Sequence, residues 1–314
     1  MVKFLVTGGA GFIGSHLTEQ LTTDGNQVIV LDDFSNGSKE NLANLNNVKI
    51  VQGSVTSLPD EIIQNSFDGI FHLATHPRSF SLSDPFKDLE VNAKGMLNIL
   101  ELAKKQKIKV VFTSNSGICG NPDYVPVDEK HKDKPSTPYD ANKLVSEHYC
   151  KIYHKIHGIK SVIFRLATVY GRRQKVNLKL GWRPVIATLL TDVFNEKDPS
   201  IYGTGNQTRD LIHVSDVVRG LILGFKSDIS NGDYFLLSTN KETSVNQILD
   251  LIFEITNKKL RVNRKPEIPG DIPRMCLSYD KAKNKLGFEP KINLKEGIED
   301  YYNWLKEKSG KIVI

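Results

Sequence analysis

The tightest constraint in this sequence is a single turn near its start. Lys3-Phe4-Leu5-Val6-Thr7 reads as a buried strand, Gly11 to Thr23 carries apolar residues at helical spacing, and Gly8-Gly9-Ala10-Gly11-Phe12-Ile13-Gly14 joins the two. Glycines at a strand-to-helix junction let the backbone turn sharply and let a pyrophosphate approach it closely. The N-terminus of the helix adds unpaired N–H groups and a partial positive charge. Gly8, Gly11 and Gly14 are therefore the candidate cradle of a dinucleotide. The next strand ends at Val30-Leu31-Asp32, about 20 residues further on, where a carboxylate meets the adenosine ribose hydroxyls. Asp32 and Asp33 would repel a 2′-phosphate, so the expected cofactor is NAD rather than NADP.

The rest of the first half continues the alternation. Strands are expected at Lys3 to Thr7, Gln27 to Leu31, Val48 to Val51, Gly69 to Leu73, Ile108 to Thr113 and Ser161 to Arg165. Helices are expected over Gly11 to Thr23, Leu89 to Lys105 and Asp140 to His157. Such alternation belongs to an α/β fold, a Rossmann-type doubly wound parallel sheet. After Gly171 the pattern loosens through Arg172 to Gly181 and includes a Pro/Gly cluster at Pro266 to Pro273. We expect an NAD-binding domain over 1–171 and a smaller C-terminal α/β substrate domain over 172–314, with some of its segments packing back on the first.

Composition excludes several classes. Of the 314 residues, 25% are charged and 39% hydrophobic, which suits a globular chain rather than a disordered one. Apolar stretches such as Ser161 to Val169 are broken by Arg165, well short of the roughly 18 residues of a membrane span. A strand-like run starts at Lys3, where a secretory signal would place its charged and apolar regions, so a cytoplasmic protein is expected. Cys119, Cys150 and Cys276 are too scattered for a disulfide framework or a metal site and read as reduced thiols. The net charge of +6 is spread along the chain, which favours an anionic ligand and not nucleic acid.

Tyr139 and Lys143 stand four apart in a helical segment, so their side chains share one face. A phenol is a poor base at neutral pH unless a nearby positive charge favours its phenolate. Tyr279/Lys283 and Tyr302/Lys306 have the same spacing. Tyr139 is distinguished by position, because its helix returns over the crevice at the carboxyl ends of the strands.

At this point the sequence resembles the extended short-chain dehydrogenases, in the NAD-dependent epimerase/dehydratase family acting on nucleotide sugars. The resemblance covers nearly the whole chain: VTGGAGFIGSHL at the start, FHLAT at 71–75, DPFKDLEVNAKGMLNIL at 84–100, CGNPDYVPVDE at 119–129, PYDANK at 138–143, RLATVYGRRQ at 165–174, GTGNQTRDLIHVSDVVRG at 203–220 and PGDIPRMCLSYDKAKNKLGFEP at 269–290. The NPDYVPVDE segment is most similar to the UDP-sugar 4-epimerases. The resemblance implies oxidation at C4 of a UDP-sugar with Tyr139 as base, and return of hydride to the other face of a transient 4-keto sugar. Lys143 would bind the nicotinamide ribose and lower the pKa of Tyr139, and Asn92 would help position the cofactor. Further cofactor contacts are implied for Phe12, Ile13, Asp33, Asn36, Ser54, Val55, Leu73 and Ala74. On the substrate side, Arg209 would grip the diphosphate and Tyr202 would lie by the nucleobase, with Thr168 and Arg274 as further contacts. A homodimer packed through the Leu89 to Lys105 and Asp140 to His157 helices is also implied.

The chain departs from the family pattern in places. Asn115 stands where Ser or Thr normally bonds the reacting sugar oxygen, flanked by Ser114 and Ser116. An amide hydrogen-bonds but cannot relay a proton as a hydroxyl does. Gly117 stands where dehydratases and decarboxylases carry an acid, typically Glu, which argues for epimerisation. Cys119 replaces a usual Tyr, and Thr168 a common Asn. Glu267-Ile268 stand where an Arg is usual, with Arg264, Lys265 or Arg274 as substitutes. His16 and His213 read as packing histidines, whereas His76 lies at the crevice edge. If Asn115 occupies the Ser/Thr slot, Asn115→Ser should raise turnover; a several-fold loss would remove it from that slot.

Overall fold

The computed structural model describes residues 1–176, 183–229, 231–268 and 270–308. β1 (Lys3–Thr7), α1 (Phe12–Thr23), β2 (Gln27–Asp32), β3 (Val48–Gln52), α2 (Asp60–Gln64) and β4 (Gly69–His72) follow in order. Two single-turn helices, α3 (Arg78–Ser81) and α4 (Pro85–Asp88), lead through a π-helical turn at Leu89–Lys94 into α5 (Gly95–Gln106). Next come β5 (Lys109–Asn115), α6 (Pro138–His157), β6 (Ser161–Leu166), β7 (Thr168–Tyr170), α7 (Val185–Phe194), β8 (Ser200–Tyr202), β9 (Thr208–His213) and α8 (Val214–Lys226). The chain continues through β10 (Asn231–Leu237), β11 (Glu242–Ser244), α9 (Val245–Thr256), β12 (Asn263–Lys265), α10 (Asp280–Leu286) and α11 (Leu294–Lys308).

Seven strands form one parallel sheet in the order β10-β6-β5-β4-β1-β2-β3. The order reverses at β1, where Val6 pairs with Val30 of β2 on one side and Phe71 of β4 on the other. Strands diverge at such a point and open a crevice at their carboxyl ends. This is the Rossmann-type doubly wound fold.

Alternation along each strand supplies two cores. Phe4, Val6, Val28, Val30 and Phe71 face Leu17 and Leu21 of α1 and Val217 and Leu221 of α8. Leu5, Ile29, Ile70, Val110 and Phe112 face Met96, Ile99 and Leu100 of α5 and Cys150 of α6. Adjacent strand residues thus serve opposite layers. Segments after Gly171 contribute to this body, since β10 forms the sheet edge against β6. They also build a third core from Ile186, Leu190, Ile248, Ile252, Ile298 and Tyr301 on α7, α9 and α11. The strands β11-β9-β7 and the pair β12-β8 flank it.

Helix ends are specified locally. Thr137 caps α6 by accepting from Asp140 N at 3.2 Å, with Pro138 in the first turn and Gly158 left-handed at its end. Ser244 and Gln247 close a reciprocal capping box on α9. Lys109 Nζ donates to the carbonyls of Gly224, Phe225 and Ser227, so a sheet lysine closes the last turn of α8. Among the described residues, no helix is long and apolar enough to cross a membrane.

Two histidines give this fold a pH dependence. His72 stacks on Phe112 and shares a hydrogen bond with Thr7 Oγ1 at 2.7 Å, and His16 Nδ1 bonds the Phe12 carbonyl at 2.9 Å. Burial lowers the pKa of each to about 3. Unfolded, each titrates near 6.5. Below that value the unfolded chain takes up protons that the native state refuses, so stability is full above pH 6.5 and is lost as pH falls toward 3. The unfolding free energy in urea titrations should therefore drop between pH 7 and pH 5 by about 2 kcal/mol for each histidine. His72→Gln should remove about half of that drop; a gain of stability on acidification would contradict the assignment.

Candidate active site

The expected dinucleotide cradle lies at the switch point. Gly8 turns with φ +69°, and a Cβ on it would lie 2.7 Å from the Ala74 nitrogen. A Cβ on Gly14 would lie 2.1 Å from the Gly8 carbonyl oxygen. The first turn of α1 therefore sits directly on the loop, with Gly11 as its N-cap. The leading N–H groups of a helix, here those of Phe12, Ile13 and Gly14, have no intrahelical acceptor and suit an anion. At the end of β2, Asp32 accepts from Ala10 N and Phe34 N, each at 2.9 Å, and burial raises its pKa. Asp33 is exposed and engaged by Ser35. Asn36 is also exposed, Ser54 bonds Thr56, Val55 packs on Gly95, and Leu73 and Ala74 close the loop over Thr7.

α6 returns across the same edge of the sheet. Lys143 is buried and donates from Nζ to the Thr113 carbonyl at 2.9 Å, with the rings of Phe112 and Tyr139 4.6 Å and 5.8 Å from its ammonium. Burial lowers its pKa to about 7. The Tyr139 phenol is pushed up to about 12, mainly by burial, against which a hydrogen bond with Thr75 acts. Asn92 organises this corner. Its Oδ1 accepts from Thr75 Oγ1 at 2.7 Å and His76 N at 3.1 Å, while Nδ2 donates to the His76 carbonyl and to Asp88. Ser146 of α6 donates to the Asn92 carbonyl at 2.7 Å, which ties the π-helical turn to the helix bearing Tyr139.

The three candidates at the end of β5 diverge. Ser114 is withdrawn from the crevice, because its hydroxyl donates to buried Glu147 at 2.6 Å. Ser116 opens a single helical turn and stays partly exposed. Asn115 lies against Gly117, and its Nδ2 is buried without a hydrogen-bond partner. Thr75, Arg78, Asp88 and Asp140 escaped the sequence reading. Asp88, four residues before Asn92 in a helical run, and Asp140, directly after Tyr139, carried a positional signal; Thr75 and Arg78 meet the site only through the fold.

Three of the substrate-side candidates, Thr168, Tyr202 and Arg209, lie on the smaller sheets, and Arg274 lies in the loop before α10. Thr168 opens β7 opposite Leu211 of β9. Tyr202 ends β8, and its hydroxyl accepts from Arg183 at 2.9 Å. Arg209 donates to the Thr208 and Ile272 carbonyls and pairs with Asp271, not with its neighbour Asp210. Asp210 instead accepts from Thr239, Asn240 and Leu277 backbone groups. Exposed Arg274 pairs with Glu242, and its backbone bridges to that of Thr208, next to Arg209. His213 caps α8 and lies 3.7 Å from Asp300. His16 is buried on α1, and His76 is partly buried beside Phe80. Among the described residues, no cluster of His, Cys, Asp or Glu could hold a metal, and all three cysteines are buried and free.

Known proteins are similar to this chain in sequence and in fold. The family profile described as GDP-mannose 4,6 dehydratase matches residues 5–301. A Methanocaldococcus jannaschii protein provisionally named UDP-glucose 4-epimerase is 38% identical over 313 residues, which span 97% of this chain and 99% of that one. The Thermotoga maritima UDP-glucose 4-epimerase, solved with UDP-glucose, superposes with a TM-score of 0.91 at 33% identity, over 98% of this chain and 99% of the other. The Thermus thermophilus UDP-glucose 4-epimerase, solved with NAD, superposes at 0.88 and 30% identity, over 99% and 100%. Other relatives are named as UDP-glucuronic acid decarboxylases and as dTDP-glucose 4,6-dehydratase. With its crevice, its glycine loop and matches along nearly its whole length, the chain belongs to the NAD-dependent epimerase/dehydratase family of extended short-chain dehydrogenases.

Proposed function

We propose that this protein is a nucleotide-sugar epimerase that interconverts the C4 epimers of a UDP-hexose, whether glucose/galactose, an N-acetylhexosamine or a hexuronate, with NAD as cofactor. The observation that carries the reading is the Tyr139/Lys143 face of α6, anchored on the Thr113 carbonyl at the edge of the sheet that also holds the glycine cradle. The cradle fits a dinucleotide, because Gly8 and Gly14 let the loop and the first turn of α1 pack backbone against backbone, which leaves the leading N–H groups of the helix for a pyrophosphate. Gly8, Gly11 and Gly14 would hold the pyrophosphate and Asp32 the adenosine ribose. NAD supplies an acceptor for hydride from C4 and a donor to either face of the resulting ketone.

The chain's own residues move the proton. Tyr139 takes it from the C4 hydroxyl and returns it after the sugar has turned. Because burial holds the phenol high, ionisation requires nearby positive charge to oppose that cost, supplied by Arg78 and, where its lowered pKa of about 7 leaves it protonated, by Lys143 5.8 Å from the ring. Arg209 and Arg274 would bind the diphosphate by exchanging Asp271 and Glu242 for phosphate oxygens, for which a guanidinium fork is well shaped. Elimination needs a further acid, and position 117 has no room for one, since a Cβ there would lie 2.5 Å from Asp140 Oδ1. This favours epimerisation over the chemistry of the named dehydratases and decarboxylases.

Purified protein given UDP-glucose, UDP-N-acetylglucosamine or UDP-glucuronate should yield the 4-epimer of one of them without added cofactor, and should release NAD on denaturation. Tyr139→Phe should cut that turnover by roughly 10²–10⁴-fold. Bound NAD with no product from any of the three would reject this substrate class. We further propose a homodimer, supported by an apolar stripe on α6 at helical spacing, Val145, Tyr149, Ile152 and Ile156, of which Ile156 is 67% exposed. Sedimentation equilibrium at micromolar concentration should give the dimer mass, and Ile152→Glu should shift it to monomer. A wild-type monomer would dismiss the proposal.

A further inference from the structure

Residue 117 is glycine in a place that two other side chains already occupy. A Cβ there would lie 2.5 Å from Asp140 Oδ1 and 2.6 Å from Asn115 Oδ1. Asp140 has no exposed surface and follows Tyr139 in the first turn of α6. A carboxylate is buried at high cost unless it is paired and hydrogen-bonded. Here Arg78 brings Nε to 3.3 Å of Oδ1 and its terminal nitrogen to 3.2 Å of Oδ2. Thr137 Oγ1 donates to Oδ2 at 2.8 Å, and Ser136 Oγ lies 3.4 Å from it. The pair runs from the rim inward, for the Arg78 side chain is 48% exposed and that of Asp140 is fully covered.

The charges facing Tyr139 come from three elements. α6 supplies Lys143 and Asp140, α4 supplies Asp88, and α3 supplies Arg78, with Thr75 adding its hydrogen bond from the loop after β4. Both oxygens of Asp88 are taken, by Asn92 and Asn142. Two carboxylates therefore oppose ionisation of the phenol, while Arg78 favours it at every pH and Lys143 only where its own amine, lowered to about 7, is protonated, so loss of Arg78 would leave the carboxylates in excess. Asp140 has no surface with which to touch a sugar, so any part it plays runs through its neighbours.

On the reading of Tyr139 as the base, we propose that Arg78 and Asp140 form a positioning pair for it. Asp140 and Asn115 together fill the place a side chain at 117 would take, and Arg78 cancels the buried Asp140 charge that would otherwise keep the phenol protonated.

The balance can be measured without turnover. In protein carrying its co-purified cofactor, subtracting the phenolate absorbance of Tyr139→Phe from that of each Tyr139-bearing form isolates this one tyrosine. At an alkaline pH where the wild-type residue is only slightly ionised, Asp140→Asn should carry more phenolate, about tenfold for a shift of one pH unit. Arg78→Gln should carry severalfold less, and Arg78→Lys, which keeps the charge, should stay near wild type. The acid limb of kcat/KM should move the same way, to lower pH in Asp140→Asn and to higher pH in Arg78→Gln, with KM little changed. Shifts of the same sign, or none, overturn the pair. If Asp140→Asn does not fold, a loss of phenolate in Arg78→Gln that Arg78→Lys restores supports the pair, and no loss overturns it. Opposite phenolate shifts in a protein inactive on every UDP-hexose would uphold the pair and reject the reaction; turnover with an unmoved titration would reject the pair alone.

Discussion

The position of α6 depends on a carboxylate buried inside it. Glu147 is 1% exposed and is gripped by Arg165 of β6 through Nε at 2.9 Å and a terminal nitrogen at 2.7 Å, while Ser114 of β5 donates to the same carboxylate. Arg165 also reaches Asp133 and lies 4.0 Å over the ring of Tyr234, so β5, β6, β10 and α6 meet at one polar knot inside an apolar layer. Removing one partner from such a pair strands a buried charge and typically costs about 3–5 kcal/mol. The geometry is therefore stiff. One turn earlier on the same helix is Lys143, whose contact with the Thr113 carbonyl inherits that stiffness.

A second constraint acts from the opposite side of the crevice. The close approach of Gly14 to Gly8, and of Gly8 to Ala74, brings α1, β1 and the loop after β4 closer together than any side chain would allow. The same loop is pinned by Asn92 of the π-helical turn, which Ser146 of α6 holds in its turn. Cofactor cradle and candidate base thus share one piece of backbone, residues 73–76. A change that loosens either would be felt by the other, because packed interiors transmit displacements rather than absorb them.

The substrate side is built differently. Arg209 is held by Asp271 of the loop after β12 and Arg274 by Glu242 of β11, both partly exposed, and Tyr202 by an exposed arginine. Exposed ion pairs of this kind contribute little to stability and exchange partners readily. On the function proposed above, the cofactor half would be the rigid one, and the half bearing Arg209 and Arg274 would be free to exchange its carboxylate partners for an anionic ligand.

Local signals in the sequence were enough for the doubly wound sheet. The strand-to-helix glycines, the carboxylate closing β2 and the alternation of six strands with helices are properties of neighbouring residues, and hydrophobic periodicity reports them directly. Spacing also put Tyr139 and Lys143 on one face. What spacing could not supply is which way a side chain turns when two partners compete for it. Ser114 looked available until Glu147, 33 residues away, claimed its hydroxyl, and Arg209 looked ready for a phosphate although Asp271, 62 residues away, already holds it. The π-helical turn at Leu89–Lys94 and the Arg78–Asp140 pair were equally invisible, because each depends on contacts between segments far apart in the chain. The sequence by itself determined the layers, the crevice and the chemistry carried at its rim, since these follow from local pattern and backbone freedom. Only the tertiary structure decided which buried polar groups are spent on one another and which remain for a ligand, since burial makes every such group find a partner and the fold chooses the partner.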